Sequence, residues 1–139
     1  MNTRVIFDTN AYSNLFRGQP DCIEILRLSP RIAVPVIVMA ELLSGFQNGN
    51  RYAQNLAKLE EFLALPRVEL IFPNQETAFI YSSINVALGQ AGQIIPTNDL
   101  WIAAMAVQHQ NPLFTFDTHF SRVEGLRFGL SATEIGLRK

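Results

Sequence analysis

A chain of 139 residues that is 48% apolar and 17% charged can build a sizeable core, which excludes an intrinsically disordered protein. No run of about 18 apolar residues is present to cross a bilayer, and residues 1–8 lack the apolar stretch of a signal peptide. A formal net charge of -1 gives no compositional sign of a polyanionic partner. One domain over residues 1–139 is predicted.

In chain order, "RVIF" (4–7) is a short apolar run that predicts a strand, and Asp8-Thr9-Asn10 are residues suited to a helix start. "PDCIEILRL" (20–28) carries Ile23, Leu26 and Leu28 on a helix opened by Pro20. Its Cys22 is the single cysteine, so no internal disulfide can form and a reducing, cytoplasmic setting is expected. "IAVP" (32–35) predicts a second strand. The run "VPVIVMAELLSGF" (34–46) continues as a helix ending near Gly45, and Glu41 is its one charged residue. An unpaired carboxylate buried in such a run would cost several kcal/mol, so Glu41 needs either a cationic partner or a cleft. "NRYAQNLAKLEEFLAL" (50–65) puts Leu56, Leu59, Phe62 and Leu63 on one helix face. "VELIF" (68–72) predicts a third strand, and Pro73-Asn74 open a long helix to about Gly89. "NDLWIAAMAVQHQ" (98–110) is apolar nearly all round after its first turn, so this helix should be central. "PLFTF" (112–116) and "LRFGL" (126–130) complete the series as fourth and fifth strands. Strands alternating with helices predict an α/β fold, a parallel sheet with helices on both faces.

Such sheets bind ligands at the carboxyl ends of their strands. Asp8 directly follows the first strand and Asp117 the fourth, while Asp99 lies in the first turn of the apolar helix. Glu41 shares its helix face with the small or polar Ser44, Gly45 and Asn48, which leave room beside a carboxylate. Each acid also has a plainer explanation. Asp8 and Asp99 can cap or charge helix N-termini, and Asp117 can be an ordinary turn residue. All four plain explanations would have to hold together at the ligand end of one sheet, and Glu41 has no basic residue within its run. Four carboxylates that converge repel one another, and a divalent cation relieves that repulsion. An all-oxygen donor set selects Mg²⁺ or Mn²⁺ over zinc, and supports phosphate chemistry. Cys22, His109 and His119 show no metal-site spacing. His109 closes a helix and reads as a surface residue. His119, two residues from Asp117, reads first as a surface residue too, with a place near the acids as the alternative.

The strings "VIFDTN", "AELLSG", "IPTNDLWIAAMA" and "LFTFDTHFSRVEGL" resemble, in order and spacing, the successive motifs of PIN-domain proteins. Among these the chain is most similar to the VapC ribonuclease toxins of type II toxin–antitoxin modules. The resemblance covers residues 6 to about 130. It implies a three-layer α/β/α sandwich with a central, mostly parallel sheet, and a carboxylate cluster that binds Mg²⁺ or Mn²⁺ and hydrolyses RNA. It places Asp8, Glu41, Asp99 and Asp117 in the four acidic motifs, as catalytic and metal-binding residues, with Asn10 and Thr115 as supporting polar residues. It also implies a homodimer and a small antitoxin partner that covers the site. Phe116 departs from the pattern, since relatives often carry a polar or basic residue there.

Nine of the eleven basic residues are arginines, only Lys58 and Lys139 being lysines, so RNA contacts should rest on a few arginines. Arg17, Arg51 and Arg122 are the candidates, against the plain reading of solvated side chains. A dimer interface is expected on the apolar face of the 51–65 helix or on the 74–89 helix with Phe79 and Tyr81; both could instead be core. Other classes fit less well. A haloacid-dehalogenase-type phosphatase wants an acid where Asn10 stands, a phospho-receiver wants a lysine after its last strand, and no G-x-G-x-x-G follows the first strand. An idle PIN scaffold that binds RNA or protein would have lost one or more of the acids, and all four are present.

Overall fold

A computed structural model of the chain describes residues 3–139. In β1 (Arg4–Phe7), Val5, Ile6 and Phe7 are all fully buried. Successive strand residues point to opposite faces, so three buried in a row mean that both faces are covered. β2 (Arg31–Pro35) behaves alike through Ile32, Ala33 and Val34. With β3 (Val68–Ile71), β4 (Leu113–Phe114) and β5 (Phe128–Gly129) they form one sheet in the order β3-β2-β1-β4-β5. Every neighbouring pair is parallel, so the expected α/β architecture is present.

Six helices make the crossovers: α1 (Thr9–Phe16), α2 (Pro20–Leu28), α3 (Val36–Gln47), α4 (Tyr52–Leu63), α5 (Gln75–Ala91) and α6 (Thr97–His109). The chain builds outward from β1 through β2 to β3, then returns to lay β4 on the other side of β1. The cleft between β1 and β4 is therefore the point where strand order reverses, the place where parallel sheets bind ligands.

Aromatic packing fixes that centre. Phe7 meets Phe114 edge-on at 5.1 Å and Phe62 of α4 at 6.2 Å. α6 is central as its composition predicts, with Leu100 and Ile102 through Ala106 buried, and its Trp101 lies 4.2 Å from Tyr81 of α5. The Pro73-Asn74 start of α5 is a capping box, in which the Asn74 side chain and Thr77 satisfy each other's backbone N–H groups.

Several boundaries differ from expectation. α3 passes Gly45 and stops at Gln47, where the Asn48 amide still reaches the Ser44 carbonyl at 3.2 Å. Only Val38 and Leu42 of α3 are fully buried, because the helix lies at the surface with Ala40, Ser44 and Gly45 exposed. α5 runs on to Ala91, since Gly92 supplies the left-handed cap at φ 68°. The fourth strand shrinks from 112–116 to two residues. The Thr115 amide still donates to Gly129 at 3.0 Å, while its hydroxyl bonds Asp8. The apolar face of α4 is core, with Leu59 and Phe62 buried. On α5, by contrast, Phe79 is 69% exposed and Val86 is exposed as well.

Candidate active site at the carboxyl edge of the sheet

Asp8 is the first residue past β1 and the N-cap of α1, where its Oδ1 accepts from the Ala11 amide at 2.8 Å. The plain capping role is thus real, but it uses only one oxygen. Oδ2 accepts from the hydroxyl of Thr115, itself buried at the end of β4. That hydroxyl also accepts from the Asp117 amide at 3.0 Å, so one threonine joins the two acids that end adjacent strands. Asp8 is only 3% exposed. Burial raises its carboxyl to about 6, opposed by the Thr115 and Ala11 hydrogen bonds and assisted by the charges of Asp117 and Asp99.

Asp99 stands in the first turn of α6, where the helix dipole favours negative charge. Its Oδ2 lies 2.8 Å from Nε2 of His119, in the short 3₁₀ turn that follows Asp117. Burial raises the Asp99 carboxyl, His119 opposes the shift, and the charges of Glu41 and Asp117 add to it. One donor atom each from Asp99, Asp117 and His119 lie within 4.8 Å of one another.

Glu41 faces this group from α3. Thr9 donates to its Oε1 at 2.5 Å and Asn98 to its Oε2 at 3.3 Å, so residues beside Asp8 and Asp99 orient it. A Cβ added at Gly45, one turn on, would meet nothing within 4 Å, so open space adjoins Glu41 as its helix face predicts. Glu41 thus has neither a cationic side-chain partner nor full burial. Among the described residues, arginine–carboxylate pairs form elsewhere, Arg4 and Arg31 with Glu69 and Arg138 with Glu24. No lysine or arginine pairs with any of the four acids. Mutually repelling oxygens with no lysine or arginine beside them fit a divalent cation, and Asp99, Asp117 and His119 offer donor atoms grouped closely enough to hold one.

The other candidates sort differently. Thr115 lies between Asp8 and Asp117 and bonds both. Asn10 is exposed, and its backbone carbonyl accepts from the Asn14 side chain; among the described residues no side-chain hydrogen bond joins it to the acids. Its neighbour Thr9 donates to Glu41. Arg17 is at the far end of α1, about 13.5 Å along the helix from Asp8. Arg51 is exposed at the start of α4. Arg122 donates to the Ile94 carbonyl at 2.9 Å and so ties the turn after Asp117 to the loop that leads into α6. Sequence reasoning passed over Thr9 and Asn98 and ranked His119 low. The available signal was adjacency, since each lies within two residues of an acid.

Comparison with known proteins agrees with this arrangement. Residues 5–126 match the PIN domain family. Ribonuclease VapC2 of Rickettsia felis is 33% identical over 126 residues, 87% of this chain and 92% of that protein. The crystal structure of VapBC2 from Rickettsia felis, bound to a DNA fragment from the promoter, superposes with a TM-score of 0.82 at 30% identity, covering 91% and 98% of the two chains. VapBC-5 from Mycobacterium tuberculosis, a member of the VapBC family of toxin-antitoxin systems, gives 0.70 at 29% identity, over 91% and 96%. A matching family over most of the chain, relatives of nearly the same length and a shared fold place this chain in the PIN-domain family, among the VapC ribonucleases.

Proposed function

We propose that this protein is a metal-dependent endoribonuclease, acting as the toxin of a toxin–antitoxin pair and held inactive by its antitoxin. The observation that carries the reading is the set of four acids at the β1–β4 cleft with no lysine or arginine to neutralise them. The relatives support the substrate and the partner. One is named a ribonuclease, and another comes from a toxin-antitoxin system.

In this reading Asp8, Glu41, Asp99 and Asp117 hold Mg²⁺ or Mn²⁺. A divalent cation so held opposes the negative charge that builds on the phosphoryl oxygens and makes water more acidic. The protein's own part is to fix its oxygens beforehand. Thr115 locks the Asp8 carboxylate against the Asp117 backbone, and Thr9 with Asn98 hold both oxygens of Glu41. Asp8, with its carboxyl at about 6, is mostly ionised at neutral pH. Arg122 is the candidate phosphate contact best tied to the site, through the loop before α6; Arg17 and Arg51 would touch RNA further out. The exposed Phe79 face of α5 is the proposed homodimer contact.

The test is cleavage of RNA by the parent, Asp8→Asn and Asp99→Asn, with Mg²⁺, Mn²⁺ or EDTA. Cleavage by the parent that needs the metal and vanishes in both folded variants is expected. A variant that cuts as fast as the parent sinks the four-acid mechanism, and a parent inert towards every RNA tried points to an idle scaffold.

A further inference from the structure

His119 is the one nitrogen donor in a site otherwise made of oxygens. Its position is well fixed. The neighbouring Phe120 is fully buried and anchors the turn, with its ring centroid 4.9 Å from that of the imidazole. On the other side, the Asp117 amide is bound to Thr115. The His119 side chain keeps 22% of its surface accessible and that of Asp99 17%, so neither is sealed in the core.

Donors of one ion at about 2.0–2.2 Å from it lie within roughly 4.4 Å of one another. The trio of Asp99, Asp117 and His119, within 4.8 Å, needs only small side-chain rotations to meet that limit. A histidine serving only to steady Asp99 could sit anywhere around that carboxylate. This one also offers a ring nitrogen within 4.8 Å of a carboxylate oxygen of Asp117.

We propose that Nε2 of His119 is a direct ligand of the cation held by Asp99 and Asp117, and that it biases the site toward Mn²⁺ over Mg²⁺. The inference rests on the metal-dependent reading given under Proposed function. Its chemistry is that of ligand softness. Mg²⁺ takes oxygen donors almost alone and keeps its waters, whereas a first-row transition ion gains from an imidazole. Asp8 and Glu41, each already holding two hydrogen bonds, would then complete the surroundings from outside the trio.

Pulsed electron paramagnetic resonance of Mn²⁺ on the full, tag-free chain tests this, with calorimetric titration of Mn²⁺ and Mg²⁺ alongside. The parent should show nitrogen modulation that disappears in His119→Ala and His119→Gln, while Mn²⁺ still binds. The preference for Mn²⁺ over Mg²⁺ should fall about tenfold in both variants. Bound Mn²⁺ without nitrogen coupling in the parent overturns the ligand assignment and leaves the ribonuclease reading standing. A parent that binds neither ion overturns both. The parent spectrum decides even if one variant fails to fold.

Discussion

Thr115 donates its hydroxyl proton to Asp8 across 107 positions of the chain. The same oxygen receives the Asp117 amide. Thr115→Val keeps the shape of the side chain and removes both bonds, leaving a buried carboxylate oxygen and an amide unpaired. A loss of about 1–3 kcal/mol of stability is expected, together with a fall in RNA cleavage. Thr115→Ser should restore most of both. Melting curves and cleavage rates check this, and a valine variant equal to the parent would show the hydroxyl to be idle.

The Asp8 carboxyl, raised from 3.8 to about 6 chiefly by burial, sets a sign for pH dependence. The folded protein holds a proton there that the unfolded chain releases between about pH 4 and 6. The metal-free protein should therefore gain stability as pH falls through that window, by roughly 2–3 kcal/mol from this group. Metal binding should weaken over the same range. Denaturation in EDTA at several pH values would reveal the slope, and Asp8→Asn should flatten it.

Glu41 is held by Thr9 and Asn98, not by a basic residue. If its charge serves the cation, Glu41→Gln should blunt the rise in melting temperature caused by Mg²⁺ or Mn²⁺. A tenfold loss of affinity would remove about 1.4 kcal/mol of that stabilisation at saturating metal. Thr9→Val should produce a smaller loss in the same direction. A full metal response in Glu41→Gln would detach this residue from the cation.

Phe79 projects from α5 with 69% of its surface exposed, while Tyr81, two residues on, is stacked on Trp101. Phe79→Glu should halve the mass seen by sedimentation while leaving a folded monomer. An unchanged dimer would move the interface off this face, and a parent that sediments as a monomer would remove the homodimer altogether.

Much of this was legible in residue order. Asp8 and Asp117 follow apolar strands directly, and a parallel sheet must gather such positions at one edge. Glu41 betrayed itself as the lone charge in an apolar run. What could not be read was the partnership of side chains that tertiary closure creates. Nothing in "FDTN" says that Thr9, rather than Asn10, will face Glu41, because that depends on where α3 lies against the start of α1. His119 was undervalued for a related reason. The spacing D-x-H has no regular meaning until the 3₁₀ turn after Asp117 curls it back over Asp99. β4 is also shorter than "PLFTF" suggests, and the bond from Thr115 to Asp8 just past its end is invisible in that pattern.

The strand order has a consequence for synthesis. β1 is made first, yet one of its two edges stays bare until β4 arrives, and the Ile6 amide waits for the Pro112 carbonyl. Contacts of such separation form late, after the cost of closing a long loop has been met. A chain still growing on the ribosome can fold its first half-sheet without ever bringing Asp8 to Asp117. The acidic centre is thereby absent from every product that stops short of Asp117, and a truncation anywhere before Leu113 yields a protein that lacks half of its cleft.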